Sequence, residues 1–348
     1  MTSLKLSALD LVPVRTDQTT GDALAASIGV AQAADRAGFT RYWVAEHHNM
    51  ASVAATSPPV VISLLAARTE RIRVGSGGVM LPNHAPLAVA EQFALLEAAY
   101  PGRIDLGIGR APGSDPVTSM ALRGPAGRGD EDIQNFPQYL DDVAVLMSKE
   151  GAMVRLRSSD YGLKATPHAV STPPLWLLGS SAYSAHLAAE KGMPYVFAHH
   201  FSGQGTEQAL QMYRAEFQPS ELTPAPRTFL TVNAVVADTA AEAEALALPQ
   251  AQNMARLRTG QPMGFVDLVE DAQATTMSPG QNDLIASNVR RTIVGTPAEA
   301  ATEIRALAAR YDVDEVMINP IASAYRGASP DRAVARERTL ELLAKELL

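Results

Sequence analysis

The chain has 348 residues, 47% of them hydrophobic, and 29 basic against 37 acidic side chains give a net charge of −8. It contains no cysteine, which excludes disulfides, thiol nucleophiles, iron–sulfur ligation and thiolate zinc sites. Its basic residues form no stripe, which argues against nucleic acid, and no apolar run approaches the roughly 18 residues of a membrane span. Met1-Thr2-Ser3-Leu4-Lys5 does not read as a signal peptide, so the expectation is a soluble cytoplasmic protein with one large core.

Strands and helices alternate along the chain. Leu4 to Leu11 reads as a strand. Asp22 to Ala37 reads as a helix stopped by Gly38. Phe39 to Ala45 is a second strand, and a polar loop from Glu46 to Ser57 leads into a helix from Pro58-Pro59 to Arg68. Ile72 to Val74 with its extension is the third strand, Leu87 to Ala99 a helix, and Ile104 to Ile108 the fourth strand. A glycine- and proline-rich loop is expected over 109–129, a helix over Asp130 to Ser148, and an irregular insertion over 151–174. Leu175 to Leu178, Tyr195 to Ala198, Thr228 to Val236 and Glu315 to Ile318 read as strands. The helices between and after them are expected over Ser181 to Lys191, Thr206 to Phe217, Ala240 to Leu257, Thr296-Pro297 to Arg310, and Asp331 to Leu348. A second irregular stretch, 258–292, is expected to be a lid or disordered. About eight strand–helix units in one domain, 1–348, predict a (β/α)8 barrel; an open doubly wound sheet is the competing architecture.

Sites in such barrels lie at the carboxyl ends of the strands. The second strand ends in Glu46-His47-His48, three ionisable groups suited to proton transfer. Neighbouring side chains of an extended segment point opposite ways, and no helix carries His-Glu-x-x-His, so no metal site is expected. The third and fourth strands end in glycine-rich runs, Gly75-Ser76-Gly77-Gly78 and Gly107-Ile108-Gly109-Arg110. There the backbone can approach a flat or anionic ligand, and Arg110 can grip a phosphate or else pair with Asp105 or Glu91. Gly179-Ser180-Ser181 opens a helix with free N–H groups and no acidic residue, which is an anion site or an ordinary cap. Together these ends predict a cofactor with a phosphate at one end and a planar ring at the other. His199-His200 add candidates at the sixth strand, and His84 lies after the third. His168 and His186 read as bystanders.

The same residues resemble the luciferase-like flavin monooxygenases. Glu46-His47-His48, the run Val74 to Pro82, the run Pro101 to Arg110, Gly179-Ser180-Ser181, the run Ala188 to Pro194 and the run Val294 to Glu299 follow that family's order over nearly the whole chain. The resemblance implies a TIM barrel that takes reduced FMN from a separate flavin reductase and uses dioxygen on a small organic substrate, commonly as a homodimer. It implies His47, with Glu46 beside it, as the catalytic group at the flavin ring. It implies a non-proline cis peptide at Gly77-Gly78 against the ring, and Arg110, Gly179, Ser180 and Ser181 on the phosphate. Gly109, Gly179 and Tyr183 depart from the light-emitting members, which carry a reactive cysteine, an acidic residue and a threonine there. A deazaflavin-dependent dehydrogenase or reductase on the same barrel, and a non-catalytic flavin-binding protein, are the alternatives.

Overall fold

The computed structural model describes residues 4–111, 115–124, 131–167, 169–220, 223–261 and 263–348. Eight parallel strands form the barrel: β1 Lys5–Asp10, β2 Arg41–Val44, β3 Arg73–Ser76, β4 Ile104–Gly109, β5 Leu175–Gly179, β6 Tyr195–Phe197, β7 Thr228–Val236 and β8 Glu315–Pro320. Each pairs with the next in sequence, for example Ala8 with Tyr42 and Leu106 with Leu175. The ring closes because β8 pairs back to β1, with Leu6 opposite Val316. This is the expected (β/α)8 barrel and not the open sheet.

Some of the surrounding helices start where the sequence supplies donors and acceptors for their free ends. Thr19 accepts from the Asp22 N–H while the Asp22 carboxylate accepts from the Thr19 N–H, a reciprocal cap on the helix Thr20–Arg36. Thr296 and Glu299 repeat the device on Pro297–Tyr311. The outward faces of the strands and the inward faces of these helices share one continuous apolar core.

Alternation along each strand builds the barrel interior in layers. At the amino-terminal floor, Arg41 binds both Asp105 (2.8 Å) and Glu315 (2.7 Å), all three buried. Ser7 donates to Glu315, and Arg73 adds a second cation on Asp105. Two residues further along the strands lie Leu9, Trp43, Trp176, Phe229 and Met317. The Arg41 guanidinium sits 4.9 Å from the Trp176 ring centre and 5.5 Å from that of Phe229. Above this aromatic plug the interior opens.

The irregular regions differ from expectation in detail. The 109–129 loop holds a helix, Pro116–Arg123, capped by Asp115; residues 112–114 and 125–130 lie outside the described residues. The helix expected over Asp130 to Ser148 is two, Glu131–Gln134 and Phe136–Met147, because Pro137 lacks the N–H a continuous helix needs and starts a new one. The 151–174 insertion contains an antiparallel hairpin, Ala152–Arg155 with Asp160–Leu163. The 258–292 stretch is neither irregular throughout nor structureless: it carries helices Val269–Ala274 and Pro279–Val289, the second closed by a Ser278–Gln281 capping box.

Candidate active site

A cavity of about 560 Å³ occupies the carboxyl-terminal mouth of the barrel. It draws its walls from the ends of all eight strands or the segments that follow them. His47, Gly77, Gly78, Arg110, Ser180 and Ser181 all line it, so the predicted site residues converge, with Glu46 the exception.

One side is built to receive an anion. Arg110 follows β4 and forms no ion pair among the described residues. Asp105 is taken by Arg41 and Arg73, and Glu91 by the Thr166 hydroxyl, so neither partner expected from sequence is available to it. Instead its guanidinium lies 4.1 Å from the centre of the Tyr183 ring, which holds the side chain while leaving its charge free. Facing it, Ser181 caps the helix Ala182–Glu190 without a side-chain capping bond, so the first N–H groups of that helix stay open to a ligand. Gly179 is required by packing: a Cβ there would lie 2.0 Å from Ser184 Oγ.

A second wall is backbone. The Gly77–Gly78 peptide is cis, as the resemblance implied. A Cβ on Gly78 would meet the Gly107 carbonyl oxygen at 2.9 Å, and one on Gly77 the Leu9 side chain at 2.9 Å. Glycine at both positions lets the segment after β3 pass close to the Leu9 side chain and to the β4 backbone, and both residues present bare backbone to the cavity. Gly109 is different, since a Cβ there meets nothing within 4 Å and would project into open space at the cavity wall. Gly109→Val is therefore expected to leave folding unchanged, by circular dichroism and thermal melting, while weakening any ligand seated between Gly78 and Arg110.

The Glu46-His47-His48 run divides by side. His47 faces the cavity. Burial lowers its pKa, the nearby Glu46 carboxylate partly offsetting this, so it is neutral at pH 7. Its Nδ1 is buried with no hydrogen-bond partner. Glu46 points the other way and does not line the cavity. Its fully buried carboxylate accepts from Met80 N–H (3.0 Å) and is bonded by His48 Nε2 (2.8 Å) and His84 Nε2 (2.7 Å). Burial raises the pKa of that carboxyl, but the bonds from His84, His48 and Met80 outweigh it and hold the group ionised. Glu46, His48 and His84 bring one carboxylate and two imidazoles within 4.8 Å of one another, a grouping not expected from sequence.

His200 lines the cavity, whereas its neighbour His199 bonds Thr206 and packs on Tyr311 outside it. Thr231 Oγ1 donates to the Phe197 carbonyl, so it accepts from His200 Nδ1 at 2.8 Å. That fixes the proton on Nδ1 and leaves Nε2 as a lone-pair nitrogen. Burial first, then the neighbouring His199 and His47, push the His200 pKa down to about 4. Because this folded value is below the unfolded one, the stability it contributes is present above about pH 6.5 and is lost as pH falls through about 4. His200→Gln is expected to flatten the decline in urea midpoint between pH 6.5 and 4.5; an equally steep decline would remove His200 from the acid response. His186 bonds Glu216 on the surface, and His168 lies outside the described residues.

Residues that sequence reasoning missed are Asn233 and Asn319, at the ends of β7 and β8. Asn319 donates to Asn233 (2.8 Å), which donates to the His200 carbonyl (3.0 Å). Their inward alternation with Phe229, Thr231, Glu315 and Met317 was the available signal.

The sequence profile described as luciferase-like monooxygenase matches residues 4–314. A protein of Escherichia coli K12 named luciferase-like monooxygenase is 39% identical over 317 residues, 91% of each chain. Among solved structures, apo-MsnO8 superposes with a TM-score of 0.84 at 31% identity over 99% of both chains. The oxygenating constituent of 3,6-diketocamphane monooxygenase from Pseudomonas putida, solved in complex with FMN, superposes with a TM-score of 0.73 over 99% of this chain and 98% of that one; at 19% identity the likeness is one of fold. No helix among the described residues is long and apolar enough to cross a membrane.

Proposed function

The chain belongs to the luciferase-like monooxygenase family, and on that footing we propose that it is an FMN-dependent monooxygenase, supplied with reduced flavin by a separate reductase and acting with dioxygen on a small organic molecule. The observation that carries this reading is the shape of one cavity. An arginine free of acidic partners and an open helix end stand beside bare glycine backbone and an imidazole with an orphaned nitrogen. A phosphate tail and a flat ring meet those requirements together. Arg110 with the N–H groups after Ser181 would hold the phosphate, Gly179 and Ser180 would shape its seat, and Gly77–Gly78 would back the ring.

Bound there, reduced FMN supplies two electrons, so that one atom of dioxygen enters the substrate and the other leaves as water. The chain's own residues do the rest. His47, neutral in its buried setting, accepts and returns a proton at its ring nitrogen. Glu46 fixes the course of the loop that carries His47 by binding Met80 and the two other imidazoles, which makes it a positioning residue. The apolar walls exclude water from the reacting centre.

The test uses the two tryptophans of the chain, Trp43 and Trp176, which pack together in the plug beneath the cavity. Titration with FMN, oxidised in air and reduced under nitrogen, is expected to quench their fluorescence saturably, and Arg110→Ala to weaken that binding by at least about tenfold. Saturable quenching by a deazaflavin and none by FMN would replace the reading with its deazaflavin alternative. A second copy of the chain is the proposed partner of the exposed apolar faces that carry Val60, Leu64 and Leu95, which sedimentation at several concentrations checks.

A further inference from the structure

We infer that the substrate is an uncharged, largely apolar molecule seated between Leu11, Met254, Met263 and Ile321, and that ionised molecules of either sign are rejected there. This rests on the flavin reading above, which gives Arg110 to the cofactor's phosphate.

In a ring of eight strands, β4 and β5 stand opposite β8 and β1. The anion end, Arg110 and Ser180-Ser181, follows β4 and β5. The far wall therefore comes from Leu11 after β1, Ile321 after β8, and the segment between β7 and β8, which contributes Met254, Leu257 and Met263 with two uncharged amides, Gln250 and Asn288. Among the described residues no Asp, Glu or Lys lines the cavity, and Arg110 is its one permanent charge. A cation entering the far side finds no carboxylate, because Glu46 is turned away and occupied by His48, His84 and Met80. An anion fares no better. The two imidazoles are neutral, and the other polar groups of that wall, the amides of Asn233, Asn319, Gln250 and Asn288, carry no charge. An ion in that space would lose its hydration with no opposite charge to replace it, whereas an apolar body loses nothing. The methionine side chains, unbranched and polarizable, adapt to several shapes. The site therefore sorts by charge before it sorts by outline.

The experiment compares three probes of one length, octan-1-ol, octanoate and octylammonium, by calorimetry at pH 7 on the FMN-loaded chain and on the flavin-free Arg110→Ala chain. Octan-1-ol is expected to bind at least about tenfold more tightly than either ion. Met254→Lys is expected to shift the ratio toward octanoate by a similar factor, and Met254→Leu to leave the order unchanged. Equal or tighter binding of either ion, or no saturable binding of octan-1-ol, overturns the inference. Failure of FMN itself to bind is a separate result: it removes the flavin reading, while the ranking on the flavin-free Arg110→Ala chain, which has no cation to grip octanoate, still decides the charge rule.

Discussion

Replacing His47 by alanine is expected to lower substrate-dependent turnover by about 10²–10⁴-fold, the usual contribution of a positioned general acid–base group. FMN binding should stay close to that of the parent chain. The split follows from where the imidazole stands. It lines the cavity, but Arg110 and the open helix end hold the other side of it. His47 makes no hydrogen bond to the protein through its Nδ1, so little stability is lost with it. Because burial holds its pKa below the ordinary histidine value, the neutral form predominates above about pH 6.5, and turnover should fall on the acid side of that value. Stopped-flow turnover beside tryptophan quenching measures the two effects separately. Unchanged turnover with unchanged binding would take His47 out of the chemistry.

The second large effect is on folding. Asp105→Asn keeps the shape of a side chain that is fully buried at the floor of the barrel and removes its charge. Asp105 receives Arg41 at 2.8 Å, Arg73 at 2.6 Å and the Trp43 indole N–H at 3.0 Å. Arg41, itself buried, would keep only Glu315. Removing one partner of a buried ion pair typically lowers stability by about 3–5 kcal/mol, and urea unfolding at pH 7 should show a loss of that order. A loss below about 1 kcal/mol would mean that water reaches the floor and that the interior is looser than its packing implies. Asn at 105 leaves the cavity lining intact, so residual FMN binding by the folded fraction is expected to be normal.

The strand ends were legible because barrel strands advertise themselves: short apolar runs, each closed by glycine or an ionisable cluster. His47, Gly77, Gly78, Arg110 and Ser180 could be found from that pattern. Glu46 was legible as a residue and expected beside His47 in catalysis, whereas its carboxylate turns from the cavity. In an extended segment positions 46 and 48 share a side and 47 takes the other, so the alternation already separated Glu46 from the cavity. Its link to His84 was not legible, since that contact joins residues 38 apart in sequence. The second helix inside 258–292, Pro279–Val289, was signalled by Ser278-Pro279-Gly280-Gln281, a capping sequence hidden among polar neighbours. The amide pair at 233 and 319 depends on β7 lying beside β8, a fact of topology that no local pattern carries.

The ion-bearing floor and the aromatic plug above it have a kinetic corollary. With Arg41, Trp43, Trp176 and Phe229 filling the bore, the described residues leave no passage through the floor, and what enters at the mouth must leave at the mouth. Whatever settles deepest arrives first and departs last. A molecule occupying the outer space ahead of the flavin would bar the way, so excess substrate should slow the enzyme in a manner that added flavin relieves.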